Sequence, residues 1–263
     1  MTTPPLPMPS ERRSTLYLNE SELVSLQTTP VALDDWAVGF LFTEGIIGSL
    51  AELLDLRWER EAASGRVWAG VAADRLGNSE FAAHRYLTSG CGKGVTFSSV
   101  KDAMLLRPVR SDCQVSREQL VAWMQAMQRQ TPLYDASGGM HAAAAVHLPS
   151  GDLLVREDIG RHNAVDKAIG AALRAGWAPG SCVMLTSGRI SYEMCAKFAR
   201  FGAGLGVSLT AATDQAFRLA TRLGIDLVGY LRRSGKMLLY TDGEHLLSDK
   251  NFSKIAPDPG HAP

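Results

Sequence analysis

The sequence predicts an α/β protein in which a three-layer C-terminal domain follows a smaller α+β N-terminal domain. Three observations carry this. From residue 142 onward, short apolar runs alternate with segments of helical periodicity. The chain has 263 residues, of which 46% are hydrophobic, enough to build a real core without disulfides. Between the two parts, the polar stretch from Arg107 to Ser116 carries Pro108 and reads as a link. The expected organisation is a disordered tail over 1–12, a small α+β domain over 13–112 and the three-layer α/β domain over 113–263.

Taken in order, LYLNESELVSLQTTP alternates apolar and polar positions through Leu16, Leu18, Leu23, Val24 and Leu26, which suits one or two strands closed by Pro30. Leu33 to Ile47 places Leu33, Trp36, Ala37, Phe40 and Leu41 at helical spacing. Asp34 and Asp35 stand in its first turn, where the helix dipole favours negative charge. Strands are expected near Leu53–Trp58 and Arg66–Val71, and a helix over about Arg117–Gln130 with Leu120, Val121, Met124 and Met127 on its apolar face. Then come strand Ala142–His147, a turn at Pro149-Ser150-Gly151, strand Leu153–Glu157, helix Arg161–Ala175, strand Cys182–Thr186 and helix Ser191–Phe201. Strand Val207–Ala211, helix Asp214–Leu223 and strands Leu227–Leu231 and Met237–Thr241 complete the pattern. The last dozen residues, with three prolines, are expected to fray.

Composition narrows the function classes. Lys plus Arg equals Asp plus Glu at 27 each, so no global field recruits nucleic acid or an anionic membrane, and any anionic ligand must be held locally. The four cysteines, Cys91, Cys113, Cys182 and Cys195, form no CxxC pair, which speaks against a zinc knuckle or a disulfide framework and fits a reducing cytoplasm. The start, MTTPPLPMPSERR, has no apolar core of a signal peptide, and no later run approaches a membrane span. A soluble cytoplasmic protein is expected.

Chemistry is suggested first by SGCGKG, Ser89 to Gly94, which sets Cys91 among three glycines in a loop. The glycines permit close approach of another molecule, and Lys93 favours the thiolate, the reactive form. An ordinary glycine turn with a core-facing cysteine remains an equal reading of these six residues. Three strand–helix junctions add to it. In REDIGRHNAVDK, Arg161, His162 and Asn163 stand at a helix start, with His162 and Asp166 four apart on one face. In TSGRISYE, Ser187, Gly188 and Arg189 precede a helix capped by Ser191, and in SGGMH two glycines lead into a strand beside His141. Each has a plain alternative: Glu157, Asp158 and Arg161 as a solvated ion-pair cluster, His162 with Asp166 as a surface pair, His141 as a hydrogen-bonded core histidine. Together, these groups at one sheet edge favour a phosphate-bearing ligand over structural turns. A basic turn, Tyr230-Leu231-Arg232-Arg233-Ser234-Gly235-Lys236, carries three positive charges that either grip phosphate or solubilise an edge, and the former is preferred.

With these segments assembled, the chain resembles the formate dehydrogenase accessory sulfurtransferases of the FdhD/NarQ family. The resemblance runs from Thr29 to Thr241 through TPVALDDWAVGFLFTEGII, TSGCG, SGGMHAAA, REDIGRHNAVDK, TSGRISYEM and DLVGY, of which REDIGRHNAVDK is the most specific. It implies a cytidine-deaminase-like C-terminal domain and a homodimer. It implies an activity as well: sulfur received as a persulfide from a cysteine desulfurase is passed to the molybdenum bis(molybdopterin guanine dinucleotide) cofactor that formate dehydrogenase needs. The persulfide cysteine of the family falls on Cys91. Its cofactor-binding segment falls on Tyr230 to Gly235 with Lys236 adjacent, in a turn one residue longer than in some members.

One departure is visible, since the second cysteine of the family's CxxC loop is Gly94 here. A persulfide needs one thiol, so the change bears on any step that uses a second loop cysteine. Cys113, 22 residues after Cys91, is a candidate substitute. Zinc deamination is not expected, because it needs HxE and PCxxC, whereas His141 is followed by Ala142 and Ala143 and PCxxC is absent. The expected roles are sulfur acceptance by Cys91 and cofactor grip by Arg161, His162, Arg189 and the Tyr230–Lys236 turn. The competing reading is a cofactor chaperone that serves formate dehydrogenase without moving sulfur.

Overall fold

The computed structural model describes residues 8–60, 64–72, 86–88, 94–96, 106–247 and 253–254. Strands β1 (Arg12–Leu18), β2 (Ser21–Thr28), β3 (Leu53–Arg60) and β4 (Ser64–Val71) form a four-stranded sheet in the order β2-β1-β4-β3. β1 pairs antiparallel with β2 and parallel with β4, and helix α1 (Leu33–Thr43) leaves this sheet. α1 stops at Thr43 rather than at the predicted Ile47, because Gly45 takes φ +74° and the amides of Ile46 and Ile47 fold back onto the Leu41 carbonyl. Two short strands, β5 (Tyr86–Thr88) and β6 (Gly94–Thr96), pair antiparallel with each other.

The larger sheet holds β7 (His141–His147), β8 (Leu153–Asp158), β9 (Cys182–Thr186), β10 (Leu205–Ser208), β11 (Asp226–Gly229), β12 (Leu238–Leu239) and β13 (Ser253–Lys254). Its order is β13-β12-β11-β10-β9-β7-β8, with β9, β10 and β11 parallel and β7 antiparallel to both β8 and β9. Helices α2 (Arg117–Gln128), α3 (Pro132–Ser137), α4 (Arg161–Arg174), α5 (Tyr192–Arg200) and α6 (Asp214–Leu223) accompany it. The chain is thus mixed α/β, with six helices and two principal sheets among the described residues. No helix among these residues is long and apolar enough to cross a membrane.

The all-alanine run of β7 shows why the sheet is covered on both faces. Ala143 and Ala145 face the core shared with α4, α5 and α6, while Ala142, Ala144 and Val146 face the core closed by Leu120, Met124 and Met127 of α2. The first core continues through α1 to Leu16, Val24, Val67 and Val71 of the small sheet. Strand β11 ends at Gly229, two residues short of prediction, because Tyr230 takes φ +52°. β10 lies at Leu205–Ser208 instead of Val207–Ala211, since the Ser208 hydroxyl accepts from Thr210 N and turns the chain out of the ladder. The β12 ladder is trimmed from the predicted Met237–Thr241 to two residues, and Ser253–Lys254, within the tail expected to fray, pairs with it. α3 leaves no periodic signal in the sequence, because six residues are too few for one.

α1 and α4 meet backbone to backbone. A Cβ on Gly39 would fall inside the Asp166 carbonyl, and one on Gly170 inside the Asp35 carbonyl. The same crossing is flanked by Asp35, which accepts from Arg156 Nε at 2.7 Å and from Arg174. Neither backbone can give way without separating the helices, so Gly39→Ala and Gly170→Ala should each lower the unfolding free energy by about 3 kcal/mol. Urea denaturation at fixed m-value measures this.

Candidate functional site

Cys91 and Lys93 lie outside the described residues. The strands on either side of Ser89–Lys93 pair with each other, Thr88 opposite Gly94, so Gly94 belongs to a strand. The described cysteines are all buried. Burial pushes the Cys182 thiol up to about 11 and the Cys195 thiol to about 12, and it also raises Cys113, so none of the three is a thiolate near neutral pH.

The charged motif REDIGRHNAVDK is mostly structural. Asp158 is fully buried; its Oδ2 accepts from Lys167 Nζ at 2.5 Å and Thr29 N at 3.0 Å, and its Oδ1 accepts from Gly160 N at 2.9 Å and Asn163 Nδ2 at 3.0 Å. Lys167 Nζ also donates to the Thr29 carbonyl at 2.8 Å. Glu157 accepts from the amides of Leu133 and Tyr134 and thereby caps α3. The solvated ion-pair reading therefore fails: Glu157, Asp158 and Arg161 are all buried. The pairing of His162 with Asp166 fails too. Asp166 accepts from Lys197 Nζ at 2.7 and 3.0 Å and from Thr43 Oγ1 at 2.8 Å, whereas His162 Nε2 lies 3.0 Å from Glu193 Oε2.

Burial opposes charge on both lysines. At Lys197 two carboxylates, Asp166 and Glu44, outweigh it and raise the pKa; at Lys167 burial prevails over the single carboxylate of Asp158 and the pKa falls below the ordinary lysine value. Spacing does not reveal these pins, although Lys197 stands in the otherwise apolar stretch CAKFA and Lys167 follows Asp166 in the largely apolar AVDKAIG, a pattern that signals buried charges with distant partners.

What remains at the sheet edge is a cluster around Arg161, brought together because β7 starts where β8 and β9 end. His141 Nδ1 is 3.5 Å from Ser187 Oγ, and that hydroxyl accepts from Ala142 N at 2.9 Å. Gly188 is in contact with both junctions: a Cβ there would lie 2.9 Å from Arg161 Cβ and 3.4 Å from His141 Nδ1. Arg161 is 7% exposed, its Nε is buried without a hydrogen-bond partner, and its guanidinium makes no ion pair among the described residues. It opens α4, whose N-cap Gly160 provides no side-chain cap. An unpaired guanidinium at an uncapped helix N-terminus is an arrangement that takes an anion.

The other predicted residues lie along the same edge. Arg189 is exposed with no ion pair among the described residues. The Tyr230–Lys236 turn is tied to the β10 exit by Tyr230 N to Thr210 O, Leu231 N to Ser208 O and Arg232 Nη1 to Leu209 O, and the Ser208 hydroxyl reaches the Gly188 carbonyl at 2.7 Å. Tyr230, Arg232, Arg233, Ser234 and Lys236 are exposed; Leu231 points into the core, and Gly235, at φ +79°, presents its carbonyl to Arg117 Nε. A pocket of about 100 Å³ lies between this turn and α2, with Met124 and Gln125 on one wall and Arg232 and Arg233 on the other.

Comparison with known proteins assigns the chain. Residues 9–247 match the model of the FdhD/NarQ family. The chain belongs to that family. A sulfur carrier protein FdhD of Geobacillus kaustophilus is 33% identical over 83% of this chain and 82% of its own. The Bacillus subtilis protein of the same name is 33% identical over 91% of this chain and 90% of its own. A crystal structure of a formate dehydrogenase accessory protein from Desulfotalea psychrophila shares the fold, with a TM-score of 0.72 at 24% identity over 90% of each chain.

In this FdhD/NarQ-family fold, removing one member of the Asp158–Lys167 pair leaves a buried charge alone. Lys167→Met should cost about 3–5 kcal/mol of stability. In a double-mutant cycle, adding Asp158→Asn should cost much less than the sum of the single losses, and additive losses would show that the two do not act as a pair.

Proposed function

We propose that the protein is a sulfur carrier for formate dehydrogenase. Cys91 is its acceptor: the thiolate attacks the outer sulfur of a cysteine desulfurase persulfide, a new S–S bond forms as the old one breaks, and the desulfurase cysteine leaves as thiolate. In delivery an electron pair of the acceptor attacks that outer sulfur, the new bond to sulfur forms as the Cys91 S–S bond breaks, and Cys91 leaves as a thiolate, so the acceptor supplies the two electrons that reduce the sulfane sulfur. The substrate that receives it is the molybdenum bis(molybdopterin guanine dinucleotide) cofactor, whose phosphates are dianionic or polyanionic cargo for the sheet edge. Support for the sulfur role comes from the relatives named sulfur carrier proteins.

The observation that carries the cargo site is the buried guanidinium of Arg161, unpaired among the described residues. A planar fork of donors matches phosphate oxygens, and the α4 N-terminus adds free amides beside it. His162, held by Glu193, stands on the same turn, while Arg189, Arg232, Arg233 and Lys236 supply positive charge further along the edge and Tyr230 offers an exposed ring. The same proposal includes a cytidine-deaminase-like C-terminal unit without deaminase chemistry, a homodimer and a cytoplasmic location.

Anaerobic mass spectrometry after incubation with a cysteine desulfurase and cysteine tests the sulfur step. The expected result is a one-sulfur gain on Cys91, removed by reductant, absent in Cys91→Ala and retained in Cys113→Ala. An unmodified Cys91, together with formate dehydrogenase activation by Cys91→Ala, would replace the carrier by a cofactor chaperone.

A further inference from the structure

The Arg161 edge contains a second basic group that the cargo reading leaves without a task. His141 and Arg161 pack against the same Gly188, and His141 is half-buried at the head of β7. The groups that face it are Arg161 and His162 from α4, Asp158 from the end of β8 and Ser187 from the β9 exit. Asp158 is already paired with Lys167, so the Arg161 guanidinium is the charge facing the ring that has no ion pair among the described residues. Burial first, then Arg161 and His162, lower the His141 pKa below its ordinary 6.5, which leaves the imidazole neutral at pH 7 when no anion is present.

We propose that His141 is the proton-coupled member of the Arg161 oxyanion site: when a dianionic group such as a phosphate or diphosphate ester docks against Arg161, a proton is taken up on the His141 ring. This rests on the cargo reading of the Arg161 edge. The physical cause is direct. A bound dianion cancels the repulsion that Arg161 exerts on an imidazolium, and it gives the ring N–H a charged acceptor. By linkage, a ligand that promotes protonation binds more tightly when the proton is already there, so affinity rises as pH falls through the histidine range. Ser187, whose hydroxyl accepts from Ala142 N, keeps its own proton to donate to the imidazole or to the ligand.

Sulfate is the probe, because it remains a dianion between pH 5.5 and 8 and so does not titrate itself. Calorimetry should show sulfate binding at least about fivefold tighter at pH 5.5 than at pH 7.5, with proton uptake revealed by the dependence of the apparent enthalpy on buffer ionisation. His141→Gln should flatten that dependence while His162→Gln keeps it. In the unaltered protein, the NMR titration midpoint of His141 should rise when sulfate is added, a readout that requires no variant. Arg161→Met, checked for folding by its melting curve, should lose sulfate binding at every pH. Binding that needs Arg161 but is flat with pH, or a slope that vanishes in His162→Gln and survives in His141→Gln, overturns the role of His141 alone. Sulfate binding unaffected by Arg161→Met overturns the cargo reading beneath it.

Discussion

The Asp158–Lys167 ion pair is the interaction on which the sheet edge depends. Both side chains are wholly buried, and between them they collect the amide and carbonyl of Thr29, the Glu157 carbonyl, Gly160 N and the Asn163 amide. One pair therefore fixes the end of β2, the end of β8 and the first turn of α4 relative to one another. Charges buried in this way repay their desolvation only when each remaining donor and acceptor is used, and here the carboxylate is fully engaged. A second pin, Lys197 with Asp166 and Glu44, joins α5, α4 and the end of α1. The glycine crossing of α1 and α4 runs over Asp166 and Gly170 of α4, next to the two pinned residues Asp166 and Lys167.

These pins determine what is left for chemistry. Of the charged residues in REDIGRHNAVDK, Glu157, Asp158, Asp166 and Lys167 are consumed by structure. Arg161 is not. A cation that is nine-tenths buried without a counter-ion among the described residues costs stability, and such a cost is tolerated where a ligand later supplies the missing charge. The cargo reading thus follows from charge accounting over the whole junction rather than from the presence of an arginine at a helix start.

Much of the fold was legible in the sequence because it is local. Strand β9 and helix α6 lie where periodicity put them, and Ser191, read as a helix cap, is at the N-cap of α5. The misplaced ends have specific causes: the positive φ of Tyr230 and the hydroxyl of Ser208 terminate strands that hydropathy alone would continue. The site was legible only in part. Arg161, His162, Ser187 and Gly188 were identified as junction residues, but their surroundings depend on contacts more than a hundred residues apart in the chain, such as Thr29 with Asp158 and Thr43 with Asp166. No spacing rule reports these. Hence spacing places Asp166 on one face with His162 although its partner is Lys197, and it places Leu231 in the cofactor-gripping turn although its side chain closes the core beneath α2.

The most direct measurement is a crystal structure of the protein with guanosine diphosphate. Phosphate oxygens are expected about 2.7–2.9 Å from the Arg161 guanidinium, at the uncapped N-terminus of α4 and beside Gly188. A nucleotide whose phosphates lie elsewhere, with Arg161 still unpaired, would contradict the cargo reading.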